Sequence, residues 1–444
     1  MENYRKAILS ELLSVYEKRG PNIALYFDQL NCSAPDDSLF TLAINQLLAE
    51  KLICAVEGEQ LPESSGGGMR FAAFINPDQL DRIRPLLEDR ETMSEHYVDF
   101  DLHIAPDGHA VASSSEGQAT AKISLDVPNT IELALSLIEA QQTNAKLLKQ
   151  VGQAFYDWLF PGPIHTHFHQ TEAVARRENN KMRVRLRIEA EEIATLPLEF
   201  LYRETGGYFV AINPGTVLSR YLNLPLPPEW VRRREAPLHM LAIIADPTDQ
   251  VRLPPDEWAA IIQGALAEPL AAGQMTLQTV KRATRKEIRN ALLQQKPDII
   301  QFVGHGIYQE GKGYLALVDD QTGKTWLVDD ERFANLYLGH DDRLGLISLA
   351  TCESAKSDDP QGFLGIAPQL VQRGVPAVLA MQYKVLIKTA KIFLEDFYTA
   401  VAARKPIDWA TQAARNAVSQ ELGLDNREFA TPVLYMRAKD GEVF

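Results

Sequence analysis

Two residues able to do covalent chemistry, one histidine and one cysteine, stand just past the ends of two short apolar runs. The first run reads Ile299-Ile300-Gln301-Phe302-Val303 and passes through Gly304 to His305 and Gly306. The second reads Leu346-Ile347-Ser348-Leu349-Ala350 and passes through Thr351 to Cys352. A short apolar run stopped by small residues predicts a buried strand. In an open α/β sheet, groups at the carboxyl ends of adjacent strands converge on one crevice. A thiol and an imidazole meeting there are the minimal parts of a cysteine nucleophile and its base. The thiol is weakly ionised at neutral pH, so His305 would take its proton or hold it as an imidazolium–thiolate pair. Attack on a carbonyl creates an oxyanion, for which the backbone N–H groups of Gly306 and Cys352 are the candidate donors. Gly304 and Gly306 carry no Cβ, which leaves room for a substrate backbone beside His305. The bland alternative is a structural thiol and a satisfied strand-end histidine. Two chemistry-bearing residues at two strand ends favour the catalytic reading.

The elements that must position this pair follow a repeating strand–helix pattern from residue 237 onward. Strands are predicted at 238–245, 276–280, 377–381 and 432–435, with the His305 strand starting at 299 and the Cys352 strand at 344 among them. Helices are predicted at 255–267, from a capping box at Thr284-Arg285-Lys286-Glu287 to about residue 295, and at 330–338, 362–373, 388–403 and 408–422. Residues 314–318 and 324–328 flank Asp319-Asp320-Gln321-Thr322-Gly323 and read as a hairpin. Strands alternating with helices imply a mostly parallel sheet covered by helices, an α/β fold.

The chain ahead of this region falls into two parts. Residues 97–232 open with a hairpin, from 98–104 through a Pro106-Asp107-Gly108 turn to a run at 119–127. A helix is expected over 131–159. Met182-Arg183-Val184-Arg185-Leu186-Arg187-Ile188 alternates and predicts a strand with one wet face. Arg232-Arg233-Arg234-Glu235-Ala236-Pro237 reads as a linker. Residues 1–92 form a unit of their own: helices at 7–16, around 23–30 and at 39–51, strands at 52–56 and 70–75, a Gly-rich tip at 64–68 between them, and a closing helix at 78–87. That order resembles a winged helix. Residues 1–90 hold nine Lys/Arg and fourteen Asp/Glu. A DNA-binding face should be basic, so protein docking is the favoured role and a DNA-binding regulator the lesser one.

Composition bounds the rest. A chain of 444 residues exceeds one typical core and predicts two or three domains. A net charge of −14 argues against broad nucleic-acid or anionic-membrane binding. No apolar run reaches the roughly 18 residues of a membrane span, and the start lacks a secretory pattern. Three cysteines, Cys32, Cys54 and Cys352, make no disulfide framework, which predicts a reducing cytoplasm.

Val303-Gly304-His305-Gly306 and Leu349-Ala350-Thr351-Cys352-Glu353-Ser354-Ala355 resemble the two signatures of CHAT domains, bacterial peptidases of the caspase and separase clan. The 47 positions from His305 to Cys352 are close to the roughly 50-residue gap of caspases. Upstream, Leu196-Pro197-Leu198-Glu199-Phe200-Leu201-Tyr202, Tyr208-Phe209-Val210 and Ser219-Arg220-Tyr221 are similar to the segment where such proteins read "lPWEl…fl…R". Leu198 stands where Trp is common. The resemblance covers about 97–444 and not 1–92. It implies a caspase-like sheet divided into a non-catalytic half, 97–232, and a catalytic half, 236–444. It implies a cysteine endopeptidase with His305 as general base or acid and Cys352 as nucleophile, needing no cofactor. It implies a protein substrate encoded nearby and an effector role in anti-phage defence or programmed death; residues 1–92, outside the resemblance, would then recruit a regulatory partner or hold the enzyme inactive until triggered. The Cys352 segment lacks the Gln-Ala-Cys-x-Gly of animal caspases, so specificity for Asp at P1 is not carried over. Asp358 and Asp359 are candidates for a pocket taking a basic P1 side chain, against a plain acidic loop. The rival of another class is an inert caspase-fold interaction or sensor protein.

Other residues are set aside. His165, His167 and His169 alternate within 163–170, but no Cys or carboxylate other than nearby Glu172 joins them at ligand spacing, so no metal is expected. Cys32 and Cys54 read as core thiols. Lys384 and Lys388 read as a solvated face. Gly323-Lys324-Thr325 lacks the Gly-rich loop of a phosphate site.

Overall fold

The computed structural model describes residues 8–9, 12, 25–26, 44, 46–55, 72–79, 97–222, 236–310, 312–335, 343–350 and 361–444. The chain divides into two compact units, Met1–His96 and Tyr97–Phe444. In the first, three short antiparallel strands lie in the order Leu25–Tyr26, Ala72–Ile75, Ile53–Ala55. Ile8, Leu9, Leu12, Ile44 and Leu47 sit on helical turns and are buried. The helix expected around 23–30 gives way to a strand: Leu25 and Tyr26 pair with Ala73 and Ala72. The open edge of 72–75 satisfies their backbone groups, and that long-range partner outweighs a weak local pattern. The tip at 64–68 and Cys32 lie outside the described residues.

The second unit is built around one large sheet. In chain order its strands begin β1 (Tyr97–Ile104), β2 (His109–Ser114), β3 (Gly117–Lys122), β4 (Lys181–Ile188), β5 (Thr216–Tyr221), β6 (Leu238–Ile244), β7 (Met275–Val280) and β8 (Ile299–Val303). A separate antiparallel sheet follows, of β9 (His305–Gln309), β10 (Lys312–Val318) and β11 (Thr325–Val328). The large sheet resumes with β12 (Leu346–Ala350), β13 (Ala377–Met381) and β14 (Pro432–Met436). Among the described residues its eleven strands run β7-β6-β8-β12-β13-β14-β5-β4-β1-β2-β3. All neighbours are parallel except β13/β14, β1/β2 and β2/β3.

The central strands are apolar on both faces because both are covered. Ile299 and Val303 of β8 enter one core, and Ile300 and Phe302 enter the other. Burying each such side chain is worth roughly 1.5–3 kcal/mol. Over the first face lie α1 (Asn129–Glu139), α2 (Ala145–Leu159), α3 (Pro163–Arg177), α4 (Pro255–Ala265), α7 (Ile387–Ala402) and α8 (Ile407–Leu422). Over the second lie α5 (Arg285–Gln294), α6 (Gln361–Gln372) and the small sheet, through Ile288, Leu370 and Leu317. Thr284 caps α5 by accepting from the Glu287 N–H, and Gly374, at φ 113°, ends α6 in a left-handed turn.

Three local expectations change. The partner of β1 is β2, not the 119–127 run. Gly108 at φ 80° and the Asp107 carboxylate, which accepts from His109 N–H at 3.0 Å, turn the chain back at once. The helix over 131–159 is two helices, because Asn144 caps a new one by accepting from Leu147 N–H. The wet face of β4 survives only at its end, where Arg187 is half-buried: Arg183 and Arg185 are buried. Arg183 meets Asp408 at 2.5 Å, and Arg185 meets Asp101 at 2.5 Å and Asp99 at 2.8 Å.

Candidate active site

The site is built where β8 and β12 end side by side. Their parallel register runs from Ile299↔Leu346 to Val303↔Ala350. Pairing continues one step further, since Gly304 N–H donates to the Ala350 carbonyl at 3.1 Å. Beneath it, Tyr398 of α7 donates its hydroxyl to Gln301 Oε1 at 2.6 Å, and burial raises the Tyr398 phenol above its ordinary range. Gln301 Nε2 in turn donates to the Phe302 and Ser348 carbonyls. This buried network fixes the floor under both strand ends.

His305 turns out of the large sheet to open β9, opposite Ala316 of β10. Its side chain is fully buried. Its Nε2 lies 3.0 Å from the Val251 carbonyl, in the loop between β6 and α4. A carbonyl only accepts, so Nε2 carries a proton and the ring is held in one direction. Gly306, the expected oxyanion donor, is the second residue of β9, opposite Leu315. Cys352, two residues beyond Ala350 in the sequence, lies outside the described residues, as do Asp358 and Asp359.

Gly304 has a different purpose from the one its position suggested. A Cβ there would meet Phe302 Cζ at 2.5 Å and Ala245 Cβ at 3.1 Å. The vacancy is filled by the chain's own core, not kept open for a substrate. Phe302 is 1% exposed and cannot swing away. Gly304→Ala is therefore expected to cost about 1–3 kcal/mol by overpacking. Phe302→Leu in the same chain should restore much of it. Thermal unfolding of the single and double variants checks this, and an unaltered melt of the single variant would contradict it.

The three histidines of α3 do not converge. Helical geometry sends His167 to one side, buried, with Nε2 3.1 Å from Ser114 Oγ. His165 and His169 share the other face, their Nε2 atoms 3.0 Å apart. Arg203 donates to His169 Nδ1 at 2.5 Å. His169 Nε2–H must then donate to His165 Nε2. A metal at that pair would force an Nδ1–H against the guanidinium, the reverse of the acceptor a ligating histidine needs. Burial, then Arg203 and His165, hold His169 below the usual imidazole range. Glu172 is taken by Arg203, Arg176 and Tyr208. Among the described residues no group of three His, Cys, Asp or Glu is arranged to hold a metal.

The Pro-x-Glu and Arg segments upstream form a brace. Glu199 accepts two bonds from Arg220, at 3.1 and 2.8 Å, and one from Gln382 at 3.1 Å. Arg220 also donates to the Ala194 and Leu196 carbonyls. Gln382 immediately follows β13, so the brace ties the turn at Leu198–Phe200 to the edge of the sheet where the site lies. The Val251 carbonyl and its loop carried no signal in the sequence, because a backbone acceptor has no residue type.

A family model described as "CHAT domain" matches residues 149–431. Among solved structures, the chain is similar to the Saccharomyces cerevisiae separase–securin complex at 12% identity and a TM-score of 0.41, covering 81% of this chain and 31% of that one. It is similar to the Arg-specific cysteine proteinase gingipain R at 10% identity and a TM-score of 0.37, covering 68% of each chain. It is also similar to the complex of Porphyromonas gingivalis RgpB pro- and mature domains, at 11% identity and a TM-score of 0.38, covering 67% of this chain and 70% of that one. The chain thus spans less than a third of the separase chain's length. No curated protein matches it.

Proposed function

This chain belongs to the CHAT-domain family, and on that premise we propose that it is a cysteine endopeptidase with Cys352 as nucleophile and His305 as its base. One observation carries the reading. The ladder pairs Val303 with Ala350, an offset of 47 positions, and the same offset separates His305 from Cys352. In sequence, each residue stands two positions past the last paired residue of neighbouring parallel strands. Such strands lie about 4.8 Å apart, and two peptide links span at most about 7 Å.

In the proposed reaction the Sγ proton passes to His305 Nδ1 as sulfur bonds to the scissile carbonyl carbon. The oxyanion is met by the Gly306 and Cys352 N–H groups. The C–N bond then breaks, and the imidazolium returns its proton to the leaving amine. Water, deprotonated by the same ring, then bonds to the acyl carbon, the C–S bond breaks to release the acid, and the ring's proton returns to Sγ. The Val251 carbonyl holds Nε2–H throughout and stabilises the imidazolium.

Asp358 and Asp359 are our candidates for binding a basic P1 side chain. The substrate is a partner protein encoded nearby, and the role an effector in anti-phage defence or programmed death. Residues 1–92, winged-helix-like in sequence order, recruit a regulatory partner or hold the enzyme inactive. The setting is cytoplasmic; no helix among the described residues is long and apolar enough to cross a membrane. The test is incubation of the full chain with the products of its flanking genes, reading new N-termini by mass spectrometry. Cleavage is expected with the native chain and none with Cys352→Ala. Continued cleavage by the variant would remove the assignment.

A further inference from the structure

The carbonyl that orients His305 lies in a loop, residues 245–254, that the fold fixes from two directions. Within the loop, Asp246 accepts from Leu253 N–H at 2.9 Å and pairs with Arg252 at 2.9 Å, so both residues after Val251 are anchored. Outside it, Asp249 Oδ1 accepts the Thr325 N–H at 2.7 Å and the Thr325 hydroxyl at 2.8 Å. Thr248 donates its N–H and its hydroxyl to the Gly323 carbonyl, at 2.9 and 3.1 Å. Gln250 Nε2 donates to Thr325 Oγ1 at 3.0 Å. Val251 is thus bracketed on both sides.

Those partners belong to the β10–β11 turn, which is itself braced. Asp319 Oδ1 accepts from Gln321 N–H, Thr322 N–H and the Thr322 hydroxyl, and Gly323 sits at φ 69°. The opposite edge of β10 pairs with β9, whose first residue is His305. One three-stranded sheet therefore holds the imidazole's backbone at one edge and the imidazole's acceptor loop at the other.

We propose that Asp249 and Thr325 are positioning residues: their contact sets the Val251 carbonyl, and the carbonyl sets the tautomer and direction of the His305 ring. The proposal rests on the reading of His305 as the base of Cys352. Without the contact, the stretch between Asp246 and Arg252 loses its Asp249 tether to β11, and Nε2–H loses a fixed acceptor. The Nδ1–H tautomer then becomes accessible, and that tautomer cannot take a proton through Nδ1. Displacements of about 1 Å are enough to cost much of a proton transfer. Slight burial works against ionisation of Asp249, but the Thr325 hydrogen bonds outweigh it and hold the carboxyl below its ordinary range. It stays ionised at neutral pH, so its own titration does not enter the measurement below.

The experiment is the pH profile of iodoacetamide alkylation at Cys352 in the full chain, resolved by site with mass spectrometry. Asp249→Ala should move the profile about one pH unit upward, towards the roughly 8.5 of an ordinary thiol, a tenfold slower reaction near neutrality. Asp249→Asn keeps an accepting Oδ1 and should restore the native profile. Thr325→Val keeps the N–H donor, loses the hydroxyl and should lie between. His305→Gln marks the end point. An Asp249→Ala profile like the native one, with His305→Gln shifted, overturns the positioning role and leaves the dyad intact. An unshifted His305→Gln overturns both. Should Asp249→Ala fail to fold, Thr325→Val decides, and an unshifted profile there overturns the proposal.

Discussion

His305→Gln is expected to lower turnover of a cleaved partner by about 10²–10⁴ while the chain still folds. Gln is the informative replacement because its amide N–H can still donate to the Val251 carbonyl, 3.0 Å from the native Nε2. It fills most of the fully buried imidazole volume. What it lacks is a lone pair of suitable basicity. The loss should fall on the rate at saturating substrate rather than on KM, since a residue that only moves protons adds little to ground-state binding. Initial rates of partner cleavage check this alongside a melting curve. A Gln variant within a few-fold of the native rate would mean that another group takes the thiol proton.

Glu199→Ala is expected to cost about 3–5 kcal/mol of stability, because it strands a buried guanidinium. The side chains of Glu199 and Arg220 are 2% and 6% exposed. Burial opposes the Arg220 charge, yet its carboxylate partner raises the guanidinium above its ordinary value. Replacing both members with apolar residues of similar volume should be far milder than removing one. Denaturant unfolding of the single and double variants measures the difference. If Glu199→Ala costs no more than an exposed pair does, about 1 kcal/mol, the brace contributes little to stability.

Much of the second unit was legible because its strands are buried on both faces. β8, β12, β13 and β14 are short, mostly apolar runs interrupted in β8 by Gln301 and in β12 by Ser348, the pattern of a strand covered on both faces. The α/β order and the strand ends that frame the site followed from that. β4 misled for the same physical reason. Arg183 and Arg185 alternate with Val and Leu and imitate a solvated face, but their carboxylates arrive from Asp101 and Asp408, 84 and 225 residues away. Local period records which side chains differ, not whether a distant partner neutralises them. Around the α3 histidines, Ile164, Phe168 and Thr171 keep the helical period and are buried. Within the site, His305 was visible by type and position. Its orienting carbonyl was not, since every residue carries one.

The way β14 is enclosed has a consequence for dissecting this chain. Pro432–Met436 is fully buried, antiparallel to β13 on one side and parallel to β5 on the other. Arg415, buried against the Leu218 and Pro432 carbonyls and pulled down to about 10 by that burial, rivets the same join. A fragment starting near residue 236 would bare that flank as a naked ladder of donors and acceptors, a template for aggregation. The portion bearing His305 and Cys352 is accordingly not a detachable enzyme, and recombinant work must carry the upstream strands with it.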